Sequence, residues 1–186
     1  MQKQYQRIIL PEGKYEVEVC SYDDGDKKAL FSIYRHWRDL CIELEQMSAR
    51  KINLPEGLSE GAFCLEMNCV RVTTAIPGAN SSWDCYDSRR NKRIQVKACS
   101  VLPDLTSFGP KSQWDELYFL DFYRKGNWDG TFDIYLIQND DIYNAPVKQG
   151  QTLKQQQEEK RRPRFSIFSD IIIPKKLIPV KTGKLS

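Results

Sequence analysis

At 186 residues, 40% apolar and 28% charged, the chain has the length and composition of one globular domain able to bury a core. Its net charge of +3 is too small to announce a nucleic-acid binder from the total, so any basic surface has to be local. With His36 as the one histidine, Ser-His-Asp hydrolysis, zinc sites built on several histidines and His-rich nuclease folds are set aside, leaving carboxylates, amides and lysines for catalysis.

Six cysteines, Cys20, Cys41, Cys64, Cys69, Cys85 and Cys99, form no CxxC pair and follow no secretory leader, so they are expected to be reduced and mostly buried. No apolar run approaches membrane-spanning length. The expectation is a soluble, cytoplasmic protein without a membrane partner.

In chain order, short strands are predicted at Arg7 to Leu10 and Tyr15 to Val19, joined by Pro11-Glu12-Gly13-Lys14. Asp23-Asp24-Gly25-Asp26 reads as a turn and an acidic helix start. From Lys27 to about Ala49, Leu30, Phe31, Ile33, Tyr34, Trp37, Leu40, Cys41, Leu44 and Met47 recur at spacings of three and four, which predicts a long amphipathic helix with His36 on its surface. After the Leu54-Pro55-Glu56-Gly57 break, Ser59 is expected to cap a second helix, Glu60 to Val72. Ala62, Phe63, Leu65, Met67 and Val70 make it apolar on most faces and therefore largely buried. Two acids interrupt it. Glu60 falls in the expected first turn, where a carboxylate suits the helix dipole, and Glu66 lies deeper, where a buried charge needs a cationic or metal partner.

Thr73 to Ser82 is a loop leading into Ser81 to Ser100, SSWDCYDSRRNKRIQVKACS, which is predicted as a β-hairpin. Ser82 to Asp87 forms the first arm and Arg93 to Cys99, with β-branched Ile94 and Val96, the second; Ser88 to Lys92 has turn composition. Strand alternation puts Gln95 and Lys97 on one face and Val96 and Ala98 on the other. Asp84 shares a face with Tyr86, while Asp87, at the mouth of the turn, is expected to bond its own backbone. The hairpin thus delivers an acid, an amide and a lysine to one place.

Beyond it, Asp104 to Pro110 is a loop, Leu117 to Phe122 a near-continuous apolar run suited to a central strand, and Thr131 to Gln138 a further strand. The fold class expected is α/β (α+β), with a mixed central sheet of four or more strands flanked by helices. From Asn144 the character changes. Gln149 to Gln157 is Gln-rich, and Lys160, Arg161, Arg162 and Arg164 crowd four basic residues into five positions. Arg and Gln read base edges in the major groove, and Lys and Arg grip phosphates, so 149–172 is the expected DNA-contacting segment. The tail from Lys175 to Ser186 carries four lysines and is expected to be partly disordered.

An acid on one strand followed by (Asp/Glu/Gln)-x-Lys on the next resembles the PD-(D/E)XK nuclease superfamily, here as Asp84, Gln95 and Lys97. The residue types suit phosphodiester hydrolysis. A hard cation such as Mg2+ takes oxygen ligands, which Asp84 and the Gln95 carbonyl can supply, and Lys97 can orient water or stabilise charge on the phosphate. Gln95 in place of an acid leaves the site one negative charge short of the superfamily's commonest form. The superfamily implies a remedy: several members supply a carboxylate from a helix ahead of the hairpin, which makes Glu60 the accessory metal ligand, with Glu66 the other choice.

Taken together, PEGLSEGAFC, SSWDCYD, RIQVKACS, DLTSFGP, WDELYFLDF and RPRFSI, from about Leu54 to Ile172, resemble small type II restriction endonucleases that cut at GCNGC. That resemblance implies a single nuclease domain over 1–186 with its catalytic core at about 54–140. It also implies a homodimer cutting double-stranded DNA with magnesium, a cognate DNA methyltransferase, and DNA contacts from Lys160, Arg161, Arg162 and Arg164. The alternatives left open are a less specific repair or junction nuclease on the same core, and a non-catalytic nucleic-acid-binding protein.

Overall fold

The computed structural model describes residues 1–80, 82–148 and 150–186; Ser81, at the head of the expected hairpin, and Gln149, at the head of the Gln-rich run, lie outside the described residues. An eight-stranded sheet runs in the order β1 (Gln2–Leu10), β2 (Gly13–Ser21), β3 (Val70–Val72), β4 (Cys85–Asp87), β5 (Lys92–Cys99), β7 (Glu116–Asp121), β8 (Thr131–Ile137), β12 (Lys181–Lys184). Among the described residues only β5 and β7 pair in parallel. They lie at the middle of the sheet, where both faces are covered, which is why Leu117-Tyr118-Phe119-Leu120 is apolar without alternation.

Two helices cover one face. In α1 (Lys27–Gln46), Leu30, Tyr34, Trp37 and Cys41 form the buried stripe, and the Trp37 indole N–H donates to Ile52 O at 3.0 Å. Asp23 caps the short turn that precedes it, accepting from Gly25 N at 2.8 Å. The second helix, α2 (Glu56–Met67), packs Leu58, Ala62, Phe63 and Cys64 against Cys85, Ile94, Val96, Tyr118 and Phe132 of the sheet. His36 is exposed on α1, and all six cysteines are buried free thiols, both as expected.

The other face carries Ile8, Val17, Val19, Tyr86, Leu117, Phe119 and Ile137. It is roofed by Phe108, Trp114, Ile142, Leu153, Phe165, Ile167 and Ile171, which come from loops and from α3 (Asn139–Tyr143), α4 (Leu153–Glu158) and the turn Phe168–Ile172. Two small ribbons tie this roof together: β6 (Thr106–Ser107) with β11 (Arg164–Phe165), and β9 (Pro146–Lys148) with β10 (Gln151–Thr152).

Three expectations are corrected. Ser59 does not cap α2, which begins three residues earlier at Glu56; the Ser59 hydroxyl instead donates to Glu56 O at 3.0 Å. Nor does the helix reach Val72. It ends at Met67, Asn68 adopts the left-handed region at φ 52°, and Val70–Val72 becomes β3, because the sheet needs a strand between β2 and β4 and the β-branched Val70 and Val72 suit one. The tail is not disordered. Its Lys181–Lys184 segment hydrogen-bonds to β8, Leu185 is fully buried, and a Cβ at Gly183 would meet the Phe132 ring at 2.5 Å, so only glycine allows this approach.

Candidate active site

The first strand of the predicted hairpin, expected over Ser82 to Asp87, pairs only from Cys85 to Asp87, and this builds the site. β4 pairs with β5 from Cys85 to Asp87, while at Asp84 the chain bends away, leaving the β5 edge beyond Ile94 without a strand partner. The Asp84 carboxylate supplies the missing acceptor: Val96 N–H donates to Oδ2 at 2.8 Å, and the Gln95 side-chain amide donates to the same oxygen. An acid that satisfies an orphaned strand-edge N–H is held in one orientation.

Gln95 is buried and Lys97 half-buried on the face expected for both, while Ile94, Val96 and Ala98 pack toward α1 and α2. The Lys97 ammonium lies near Asp84 and above the Phe108 ring, 5.6 Å from its centroid. Glu60 approaches the same carboxylate from α2, which lies over β4 through the Cys64–Cys85 contact at 3.4 Å. Because α2 starts at Glu56, Glu60 stands in its second turn, buried, and the helix-dipole account does not apply to it.

Burial pushes the Glu60 carboxyl up to about 7, and nearby Asp84 adds to this, while the Arg71 ion pair opposes it. Burial likewise raises Asp84 to about 6, against the pull of Lys97 and the Val96 N–H. Two neighbouring desolvated carboxylates, of which Asp84 raises Glu60, are an arrangement that gains from a cation between them. The donor set also suits a hard one: two carboxylates and an amide oxygen, all oxygen. Among the described residues no three His, Cys, Asp or Glu side chains group as a metal-holding cluster.

Arg71 was missed by the sequence reading because the predicted helix swallowed β3. Its guanidinium forms an ion pair with Glu60 and lies beside Asp84. Glu56, at the first turn of α2, adds negative field to both buried acids. Glu66 stands apart, paired with Lys181 of β12 at 3.0 Å. Asp87 is structural, as expected: it accepts the Arg89 N–H at 3.0 Å and the Arg90 side chain at 2.7 Å.

The basic segment is not part of this cluster. Arg164 belongs to β11 and is exposed; Arg161 pairs with Glu159 at 3.2 Å; Lys160 adopts φ 60° just past α4. The link is Phe108, whose ring packs 6.1 Å from Phe165 on one side while carrying Lys97 on the other. Asp104 secures the joint. Buried in the loop before β6, it accepts Thr106 Oγ1 at 3.1 Å, Ile167 N at 2.9 Å and Phe168 N at 3.1 Å, and also the Ser166 hydroxyl. No signal in the sequence distinguishes this Asp from an ordinary loop acid.

Comparison with known proteins gives two matches. A family model described as Bsp6I restriction endonuclease matches residues 22–174. The type II restriction enzyme Bsp6I of Bacillus sp. (strain RFL6) is 33% identical over 173 residues, covering 91% of this chain and 91% of that protein. No solved structure matches the chain.

Proposed function

The chain belongs to the Bsp6I restriction endonuclease family and is a site-specific deoxyribonuclease, and from that premise we propose that it hydrolyses DNA phosphodiesters through a PD-(D/E)XK-type site formed by Asp84, Gln95 and Lys97, with Glu60 as accessory ligand. The observation that carries this reading is the convergence of Asp84, Glu60 and Gln95, with Lys97 beside them, at the unpaired edge of β5.

Asp84, Glu60 and the Gln95 carbonyl oxygen would hold Mg2+, which supplies Lewis-acid polarisation of a phosphoryl oxygen and a lowered pKa for the attacking water. The chain's own residues do the rest. Val96 N–H and the Gln95 amide orient Asp84, and Lys97, steadied over Phe108, offers an N–H donor to the incoming water or to charge growing on the phosphate. For Glu60 to serve, Arg71 releases it and is then free to meet the phosphate.

Lys160, Arg161, Arg162 and Arg164 supply cationic contacts to double-stranded DNA. In this reading residues 1–186 act as a single nuclease domain, cytoplasmic in location. Two copies cut a short palindrome, GCNGC, and a cognate DNA methyltransferase protects the host's own sites. The test is to incubate the purified protein with plasmid and phage DNA in Mg2+ and then in EDTA. Discrete bands that vanish in EDTA, with ends mapping to GCNGC, are expected. A smear would remove the palindrome from the proposal, and cutting undiminished in EDTA would remove the metal.

A further inference from the structure

A cleft of about 490 Å³ opens beside the catalytic hairpin, lined by Asn80, Ser82, Gly109, Lys111, Ser112 and Arg162. Among the described residues its lining contains two cations and no acid. Among the described residues neither Lys111 nor Arg162 has a carboxylate within ion-pair distance. The neighbouring cleft of about 420 Å³ shares Lys111 but adds Asp140 and Glu158, which makes it a poor seat for an anion. Such an acid-free pocket with two unpaired cations and hydroxyl groups has the donor chemistry of a phosphate seat.

The cleft is also cross-tied to the active site. Asn80 Nδ2 donates to Lys111 O at 2.9 Å, Ser82 Oγ accepts Gln113 N–H at 2.9 Å, and Asn80 O accepts the buried Trp83 indole at 2.8 Å. Ser82 precedes Asp84 by two residues, so the cleft wall and the catalytic acid lie within roughly 7 Å of backbone. On the opposite wall, the Arg162 guanidinium rests on Gly109, where a Cβ would meet Nη2 at 3.1 Å, and Gln157 Nε2 donates to Gly109 O at 2.8 Å.

We infer that this cleft seats a backbone phosphate of the DNA, about one or two steps from the one that is cut, through Lys111 and Arg162, and thereby sets the register of the strand against Asp84. The inference rests on the nuclease reading above and adds to it a positioning residue, Lys111, and a location. The phosphate is held by charge and not by base edges, so the contact is blind to sequence.

The experiment measures binding of labelled duplexes, cognate and scrambled, to the full chain in EDTA at several salt concentrations, for wild type, Lys111→Ala and Lys111→Arg. Lys111→Ala is expected to weaken both duplexes by the same factor and to flatten the slope of log K against log salt by about 0.9, with Lys111→Arg restoring most of it. A methylphosphonate placed one or two steps from the cleaved position is expected to weaken wild type more than Lys111→Ala, which has only the Arg162 contact left to lose. An unchanged slope in Lys111→Ala, or a loss confined to the cognate duplex, overturns the inference while wild-type cleavage keeps the nuclease reading. Failure of wild type to bind or cut DNA overturns that reading itself.

Discussion

Lys97 Nζ stands 5.6 Å above the centroid of Phe108, eleven residues on in the chain and in a different layer of the fold. The same ring packs on Trp114 at 4.8 Å and on Phe165 at 6.1 Å, so the lysine is steadied by the joint that also anchors the basic segment. The proposed catalytic lysine and the proposed DNA-contacting arm therefore share one support.

That sharing separates two kinds of loss. Asp84→Ala and Lys97→Ala are expected to abolish cleavage while leaving the circular-dichroism spectrum and DNA binding near wild type. Phe108→Ala removes a buried ring and is expected to cost about 3–5 kcal/mol in urea unfolding as well as activity. Phe108→Leu keeps apolar fill but loses the ring face, worth about 0.5–1 kcal/mol to a cation, so it should lower turnover more than stability. Full cleavage by Lys97→Ala would remove that residue from the site.

Arg71 and Glu60 make a pair whose side chains are 27% and 9% exposed. Arg71→Ala leaves the Glu60 carboxylate buried without its partner, and after discounting for the exposure of Arg71 the expected cost is about 1–3 kcal/mol. Adding Glu60→Gln should recover part of that, because the uncompensated charge is gone. Thermal unfolding of the two single variants and the double variant checks this; strict additivity would show that the pair is not coupled.

Asp104 holds two backbone N–H groups and two hydroxyls in the interior. Asp104→Ala strands those donors and is expected to destabilise the protein by about 2–4 kcal/mol. Because the loosened piece carries Arg164, DNA affinity should fall as well, and limited proteolysis should cut first within 160–170. Proteolysis unchanged from wild type would show that the roof is held without it.

Burial alone would raise the Asp87 carboxyl, but hydrogen bonds from the Arg90 and Arg89 groups outweigh it and hold it below the usual carboxylate range. Its stabilising contribution is therefore complete at neutral pH, above the unfolded value near 4, and is lost as pH falls through the lower folded value. Asp87→Asn should lower stability at pH 7 and flatten the acid limb below about pH 4. Urea midpoints across that range decide it, and parallel curves for wild type and variant would exclude Asp87 as a source of acid sensitivity.

Local patterns carried much of the fold. The three-and-four spacing of Leu30, Tyr34, Trp37 and Cys41 specifies α1, the alternation from Ile94 to Ala98 specifies the faces of β5, and the unbroken apolar run at 117–120 specifies a central strand. Each depends only on residues within a few positions of one another. Short elements failed for the same reason. Val70–Val72 is too brief to signal a strand beside a helix of similar hydropathy, and Lys181–Lys184 is a strand only because β8 offers it an edge.

The proposed site divides in the same way. Asp84, Gln95 and Lys97 are legible because one hairpin carries all three. Glu60 approaches Asp84 only when α2 packs over β4, Arg71 enters only once β3 is a strand, and Phe108 reaches Lys97 only when the 104–110 loop folds under the roof. Sequence by itself determined which residues could do the chemistry and which strands present them, since these follow from side-chain type and backbone period. Tertiary structure alone decided what surrounds them, because burial, ion pairing and the Asp84 hold on Val96 come from contacts between segments distant in the chain, whose register no local pattern records.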